Sequence, residues 1–147
     1  TFANYELIAS ENDRVFNYEN RIYRPFLTDQ LLLKQLMTIL FDNAIKYTEE
    51  DGEIEFVVHA TDRHLYLTVT DNGIGISAPD KKKIFDRFYR VDKARTRQKG
   101  GFGLGLSLAK QIVDALRGTI SVKDNKPKGT IFEVKIAIQS PSKRKNK

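Results

Sequence analysis

Apolar residues recur at helical spacing between residues 28 and 47, the clearest periodic pattern in the chain. The apolar positions of this stretch are Leu33, Leu36, Met37, Leu40, Ala44 and Tyr47. Because side chains three and four residues apart share one face of an α helix, the pattern predicts an amphipathic helix. Thr28 is a suitable N-terminal cap, and the acidic run at 49–52, which ends in glycine, predicts where the helix stops.

The rest of the chain predicts strands, most of them in hairpin pairs, and two further helices. The predicted strands are residues 15–22, 53–60, 64–70, 119–124 and 130–138. Turns are predicted at 61–63 and at 125–129. The predicted helices are a weak one before Glu11 and one at about 103–117 that Gly118 caps. Residues 72–102, between the strand at 64–70 and the helix at about 103–117, show only short helical pieces at 80–89. A loop of that length is usually functional or mobile.

This order of elements predicts an α+β fold. We expect a two-layer α/β sandwich in which a mixed, mostly antiparallel sheet carries about three helices on one face. The length of 147 residues, with 40% hydrophobic side chains, supports one domain, which we place at residues 1–140, followed by a basic flexible tail at 141–147. The chain has no cysteine and no apolar run long enough to span a membrane, so we expect a soluble domain without disulfides or thiolate sites.

The formal net charge of +6 is concentrated in two places. Residues 142–147 carry four positive charges, and residues 80–99 carry nine Lys or Arg against three Asp. An anionic ligand near residues 80–99 is plausible, because basic segments attract anions. A solvated surface remains the alternative for both segments.

Three residues on one turn of the long helix have the chemistry of a magnesium nucleotide site. Asn43 follows Ile39 by four residues, which places a carboxamide on the apolar face, and an unpaired buried amide costs about 1–3 kcal/mol. Lys46 and Tyr47 lie three and four residues further on, on the same side. An amide oxygen suits the metal, an ammonium suits phosphate and a ring suits the base or ribose. The alternative is a core Asn bonded to backbone.

Asp71 follows a strand in which alternate residues are apolar. By the period of two, its carboxylate points to the same face as Leu65, Leu67 and Val69, toward the core. A buried carboxylate needs a donor, and the exocyclic amine of adenine is a suitable one; a turn-forming Asp is the alternative. In the following segment, 73–76, two glycines allow the backbone to approach a ligand, and two isoleucines can cover a flat base.

A run of glycines at 100–105 leads into the second long helix. It has the spacing of neither the dinucleotide-binding fingerprint nor the P-loop, because residue 106 is leucine and no Lys-Ser or Lys-Thr follows. Glycines that open a helix still favour an anion site, since free backbone N–H groups and the helix dipole point at the ligand. Flexible hinge glycines are the alternative reading. The segment 73–78 also fits the dinucleotide fingerprint loosely, but the helix, strand and acidic residue required after it are missing.

Four blocks of this sequence, in this order, resemble the ATP-binding catalytic domain of sensor histidine kinases, in the superfamily shared with type II topoisomerases, heat-shock chaperones and mismatch-repair ATPases. The blocks are residues 41–48 (FDNAIKYT), similar to the N box; 71–76 (DNGIGI), similar to the G1 box; 85–92 (FDRFYRVD), similar to the F box; and 101–106 (GFGLGL), similar to the G2 box. Residues 128–132 resemble the closing strand, so the resemblance covers about residues 25–138. It implies the Bergerat fold, with ATP between helices and sheet under a lid at about 72–102.

The resemblance also implies a role for each matching residue. Asn43 is implied as the Mg²⁺ ligand, Lys46 and Arg90 as phosphate contacts that take part in catalysis, and Tyr47 as a neighbour of the base or ribose. Asp71 and Thr130 are implied to read adenine, directly and through water. The other implied ATP contacts are Gly73, Gly75, Ile76, Gly101, Gly103, Leu104, Gly105 and Leu106. Phe85 and Phe88 resemble lid anchors that pack on the core.

The chain departs from the family pattern at three points. Ile39 stands where histidine kinases usually carry a second asparagine and the hydrolysing relatives a glutamate, so we expect no rapid ATP hydrolysis. Phe102 is larger than the small residue common at its position. The phosphoacceptor motif is missing, and His59 and His64 are interpreted as sheet or surface residues.

The resemblance therefore implies the ATP-holding half of a two-component kinase. It would bind ATP and Mg²⁺ and pass the γ-phosphoryl group to a histidine on a separate dimerisation domain, with a response regulator downstream. The expected setting is a cytoplasmic domain, monomeric in isolation, within a homodimeric parent anchored in the cell membrane. Two alternatives remain at this point: a serine-directed anti-sigma-type kinase of the same superfamily, and a basic nucleic-acid-binding module, which lacks a recognised reader motif.

Overall fold

A computed structural model of the chain describes residues 2–86 and 105–139. Its elements are α1 (Phe2–Glu11), β1 (Val15–Arg21), α2 (Gln30–Tyr47), β2 (Glu53–Ala60), β3 (His64–Asp71), α3 (Ala78–Lys81), α4 (Gly105–Ala115), β4 (Thr119–Asp124) and β5 (Thr130–Ala137). The predicted order is confirmed, and every predicted strand matches to within one residue. Phe88, Arg90, Gly101, Phe102, Gly103, Leu104 and the tail 141–147 lie outside the described residues.

The five strands form one sheet in the order β1-β2-β3-β5-β4. β1 runs parallel to β2, and the other pairs are antiparallel. Alternate residues of β3 are buried, which confirms the period of two and places Leu65, Leu67, Val69 and Asp71 on the covered face. The register aligns Asp71 with Ile54 of β2 and with Thr130 of β5, so the middle of the sheet ends in a polar pair.

The helices cover one face of the sheet and enclose a single core, as predicted for an α+β sandwich. The largest fully buried side chains come from both layers and include Phe41, Leu36 and Leu40 of α2, Phe56 of β2 and Phe132 of β5. Each such side chain contributes about 1.5–3 kcal/mol relative to an exposed one. Tyr5 fixes α1 to this core, because its ring stacks on that of Phe41 at 4.4 Å between centroids.

The predicted cap of α2 was wrong by one residue. Asp29 is the N-terminal cap, and its Oδ1 accepts the backbone N–H of Leu32 at 3.0 Å. The helix therefore begins at Gln30. The capping side chain must reach an N–H group three residues ahead, and Asp29 holds that position, whereas Thr28 is half-buried before it.

The predicted glycine cap of α4 was also wrong in its detail. Arg117 is the residue in the left-handed region, with φ of 58°. The N–H of Arg117 donates to the carbonyl of Asp114 at 3.0 Å, and that of Gly118 donates to Val113 at 2.9 Å, which is the Schellman pattern. Gly118 is required for a different reason: a Cβ there would lie 2.0 Å from the carbonyl oxygen of Lys135.

The short helical piece after the G1-like segment begins earlier than predicted. α3 starts at Ala78, and Ser77 caps it by accepting the N–H of Asp80 at 3.3 Å. Within the described residues, no helix has the length and apolar character needed to cross a membrane. His59 lies in β2 and stacks on Tyr66 at 4.6 Å, and His64 opens β3, so both are sheet residues as interpreted from the sequence.

Candidate functional site

Asp71 is the most unusual charged residue of the sheet. It ends the central strand and is only 3% exposed. Burial raises the pKa of its carboxyl to about 6, although hydrogen bonds from the backbone N–H groups of Gly73 and Thr130 act in the opposite direction. The bond from Gly73 to Oδ1 measures 2.9 Å. The prediction that this carboxylate points into the core is confirmed. The bond from the N–H of Gly73, two residues ahead, also has the geometry of the turn-forming Asp that the sequence allowed as the alternative.

The β4–β5 turn holds the backbone of Asp71 from outside the sheet. The side-chain amide of Asn125 donates to the carbonyl oxygen of Asp71 at 2.9 Å. Gly129, with φ of 115°, lies against the same peptide, since a Cβ there would be 2.0 Å from that oxygen. Neither residue was identified from the sequence as part of the site. The signal available was a turn that begins with Asn and ends with Gly, but nothing in it names Asp71 as its contact.

The C-terminal end of α2 closes the site on the other side. The N–H of Ile74 donates to the carbonyl of Tyr47 at 3.0 Å, and a Cβ on Gly73 would lie 2.0 Å from the same oxygen. The missing Cβ of Gly73 therefore leaves room for the end of α2, and its contact with a ligand stays a prediction. Gly75 has φ of 78°, a conformation that favours glycine. Ile74 is 38% exposed.

Asn43, Lys46 and Tyr47 lie on the last turns of α2, and all three are half-buried. The expectation that Asn43 is buried in the core was wrong: it lies at the border of the apolar face, where water and ligands can reach it. Its side chain makes no hydrogen bond with any residue in the described part of the chain. An accessible amide oxygen without a protein partner fits a single metal ligand, and residues 2–86 and 105–139 offer no cluster of three His, Asp or Glu for a cation.

α4 begins beside α2 at Gly105, the last glycine of the run at 100–105. An added Cβ on Gly105 would lie 3.7 Å from Cγ2 of Ile39, so the two helices touch there. Leu106 is half-buried and Ser107 is buried. The first turn of α4 carries no acidic residue, which leaves its N-terminus favourable for an anion.

The structure joins several of the predicted site residues at one end of the sheet. Contacts link Tyr47 at the end of α2 with Gly73, Asp71 at the end of β3 with Gly73 and Thr130, and Gly75 with Gly129. Asn43 and Lys46 lie on the last turns of α2 before Tyr47, Ile76 follows Gly75, and Gly105 and Leu106 open α4 beside Ile39. Phe85 is half-buried, and its ring lies 6.3 Å from that of Phe132, in agreement with a core anchor. Arg14 is a supporting residue that sequence reasoning missed, and its guanidinium donates to the carbonyl of Thr48 at the end of α2.

Comparison with known proteins gives the family. Residues 28–140 match the family described as histidine kinase-, DNA gyrase B- and HSP90-like ATPases. The chain belongs to this family. It is 83% identical over 145 residues to the sensor protein CiaH of Streptococcus pneumoniae. The aligned residues make up 99% of the chain and 33% of CiaH. It is 46% identical over 104 residues to the sensor histidine kinase WalK of Bacillus subtilis, 69% of the chain and 17% of WalK.

Solved structures give the same result. The catalytic domain of histidine kinase ThkA superposes with a TM-score of 0.75 at 25% identity, covering 95% of this chain and 90% of that one. A structure of ThkA in complex with the response regulator protein TrrA superposes with a TM-score of 0.71 at 26% identity, covering 97% and 39%. The chain therefore has the fold of histidine kinase catalytic domains, and it spans about a third of the length of CiaH. Neither CiaH, a sensor protein, nor WalK, a sensor histidine kinase, is named as a serine-directed kinase.

Proposed function

We propose that this domain binds Mg²⁺ and ATP and donates the γ-phosphoryl group to a histidine on the dimerisation domain of its parent kinase. The proposal rests on one observation: Asp71 is buried with a raised pKa, and it lies at the same end of the sheet as the accessible Asn43. Perturbed titratable groups beside convergent polar side chains are typical of ligand sites.

Asp71 and Thr130 are the residues we assign to adenine. At neutral pH a carboxyl with a pKa of about 6 is mostly ionised, so Asp71 can accept a hydrogen bond from the exocyclic amine of the base. A donor from the ligand replaces water that burial has removed, which stabilises the ionised form. Thr130 is buried directly opposite Asp71 and is placed to bind a bridging water. The half-buried Ile76 is assigned to the face of the ring.

Asn43 and Lys46 are the residues we assign to the metal and the phosphates. The amide oxygen of Asn43 suits Mg²⁺, which keeps most of its water and takes few protein ligands. The ion supplies neutralisation of phosphate charge when it is bound. Lys46, one turn further along α2, reaches the same side as a second cation. Tyr47 is assigned to the base or ribose, and Arg90, Gly101, Gly103 and Leu104 to the triphosphate with Gly105, on the sequence resemblance alone.

Catalysis by this domain consists of positioning and charge neutralisation. The attacking atom is the imidazole nitrogen of the acceptor histidine, which forms a bond to the γ-phosphorus while the bond to the bridging oxygen of ADP breaks. Ile39 is half-buried against the first residue of α4, where its apolar side chain offers no base for water. Slow hydrolysis keeps ATP available for the histidine.

The partners follow from this role. The phosphohistidine passes its group to a response regulator, in keeping with the ThkA structure that includes the response regulator TrrA. We propose a monomeric domain within a homodimeric parent, with the domain on the cytoplasmic side of a membrane-anchored protein.

A phosphoryl-transfer assay tests the proposal. The chain, Mg²⁺ and radiolabelled ATP are incubated with the histidine-bearing dimerisation domain of the parent kinase. We expect Asn43→Ala to lower the rate of transfer by at least about 100-fold, because an interaction with the metal contributes several kcal/mol in the transition state. Asn17→Ala, an exposed position on β1, is the matched control and should transfer normally. Normal transfer by the Asn43 variant would refute the metal assignment.

A further inference from the structure

A side chain that lies outside the four family-like blocks holds the proposed adenine reader in place. The carbonyl oxygen of Asp71 lies where the β3–β5 ladder ends, and a carbonyl at such an edge needs a donor from elsewhere. The donor is the side-chain amide of Asn125, 54 residues along the chain, at 2.9 Å and half-buried.

Both ends of the Asn125 amide are used. While its nitrogen donates to Asp71, its oxygen accepts the N–H of Lys126 at 2.9 Å. The backbone N–H of Asn125 donates to the carbonyl of Gly129 at 3.0 Å, which closes the turn. The side chain is therefore fixed in one orientation, and it presents a rigid donor to Asp71.

The carbonyl of Asp71 belongs to the peptide unit that leads toward Gly73. The N–H of Gly73 donates to the carboxylate of Asp71 at 2.9 Å, and this bond requires a particular rotation of the Asp71–Asn72 peptide. Asn125 and Gly129 hold that peptide from one side, and the N–H of Asn72 donates to the carbonyl of Glu53 at 3.3 Å on the other. The N–H groups of Gly73 and Thr130 bind the carboxylate directly, and the contacts of Asn125, Gly129 and Glu53 with the Asp71–Asn72 peptide hold the backbone from which it projects.

We infer that Asn125 is a positioning residue for recognition of the base: it acts through Asp71 and sets the preference for adenine without contacting the nucleotide. This inference rests on the proposed function, because it needs Asp71 to read adenine. It deepens that function by tying base selectivity to the β4–β5 turn.

Calorimetry with halves of the nucleotide tests the inference on the 147-residue chain. We expect Asn125→Ala to weaken binding of adenosine and of Mg-ATP by about fivefold each, the effect of one neutral hydrogen bond. Binding of Mg-tripolyphosphate, which has no base, should change less than twofold. Asn20→Ala is the matched control, because it removes a bond of the same length between an Asn side chain and the backbone, 2.9 Å to the N–H of Ile22, at the end of β1 away from Asp71. If Asn125→Ala folds poorly, Asn125→Ser takes its place in the test. Serine keeps an acceptor for Lys126 but cannot reach Asp71, so the same loss of adenosine and ATP affinity is expected.

A double-mutant cycle separates positioning from general support. If Asn125 acts through Asp71, adding Asn125→Ala to Asp71→Asn should change the ATP affinity less than twofold. Equal losses for adenosine and tripolyphosphate, or additive losses in the cycle, would overturn the inference. So would unchanged ATP affinity in Asn125→Ala and Asn125→Ser while Asp71→Asn binds weakly, and this result would leave the proposed function intact. Unchanged affinity in Asp71→Asn would instead remove the adenine assignment itself.

Discussion

The polar groups at the two ends of β3 differ greatly in their exposure to water. At its start, the polar groups of the turn are exposed: Arg24 and Asp62 form an ion pair of 2.5 Å with side chains 73% and 57% exposed. At its end, Asp71 is 3% exposed and makes no ion pair within the described part of the chain. At the first end, the polar groups beside the hairpin turn stay in water, so folding removes little of their solvation. At the second end, burial of the carboxylate carries a desolvation penalty, and such perturbed groups are enriched at binding sites.

The largest expected effect on folding at the polar end comes from Gly129→Ala. Its Cβ would lie 2.0 Å from the carbonyl oxygen of Asp71, and φ of 115° is strained for alanine. We expect the free energy of unfolding to fall by about 3 kcal/mol or more in urea titration. Gly105→Ala is the control, since its Cβ would meet Ile39 at 3.7 Å, an ordinary contact. Similar stability of the two variants would contradict the packing described for the turn.

Asp71→Asn should move affinity and stability in opposite directions. The change of pKa from 3.8 to about 6 means that the ionised form costs roughly 3 kcal/mol in the folded state. Because an amide NH₂ faces backbone donors in the variant, we expect a net gain of about 1 kcal/mol in unfolding free energy at pH 7.5. The affinity for ATP should fall about tenfold or more. Asp62→Asn, at the other end of β3, should change neither quantity, and a loss of stability in Asp71→Asn would argue against a purely functional burial.

The raised pKa of Asp71 predicts a dependence on pH. Since the folded-state pKa lies above the ordinary value, protonation favours the folded chain: the penalty is fully present above pH 6 and disappears as pH falls toward 3.8. Nucleotide binding has the opposite sign, because it uses the ionised carboxylate. We expect ATP affinity to fall by up to about tenfold per pH unit below pH 6, relative to Asp71→Asn measured under the same conditions. Parallel pH profiles for the two proteins would show that Asp71 does not titrate in this range.

The smallest effects are expected at the exposed end. Arg24→Ala removes a solvent-exposed ion pair, and such pairs contribute about 0–1 kcal/mol. The midpoint temperature of thermal unfolding should change by no more than a few degrees, and the affinity for ATP should stay the same. A large loss of ATP affinity in this variant would mean that the two ends of β3 are coupled and do not act independently.

Residues whose role depends on local spacing were predictable from the sequence. The alternation in β3 was enough to bury Asp71, and the helical spacing of α2 grouped Asn43 with Lys46 and Tyr47. Details that depend on one atom were less accessible, as in Asp29 replacing Thr28 as the cap of α2. The periodic pattern locates a helix but does not select between adjacent capping residues.

Contacts between distant segments could not be predicted. Asn125 and Gly129 support Asp71 only because β5 returns beside β3, and the contact spans 54 residues. The same holds for the contact of Gly73 with the carbonyl of Tyr47, which the sequence did not indicate. A sequence pattern shows that a glycine is needed more readily than it shows which atom approaches it.

Binding of ATP and GTP to the chain and to Asp71→Asn, each with and without Mg²⁺, measures whether the carboxylate of Asp71 selects the base. If the buried carboxylate reads the base, the chain will bind ATP more tightly than GTP by about tenfold or more, and Asp71→Asn will lose most of that preference. The preference should persist without Mg²⁺, because the base and the metal contact different residues. Equal affinity for ATP and GTP, or an unchanged preference in Asp71→Asn, would show that Asp71 does not read the base.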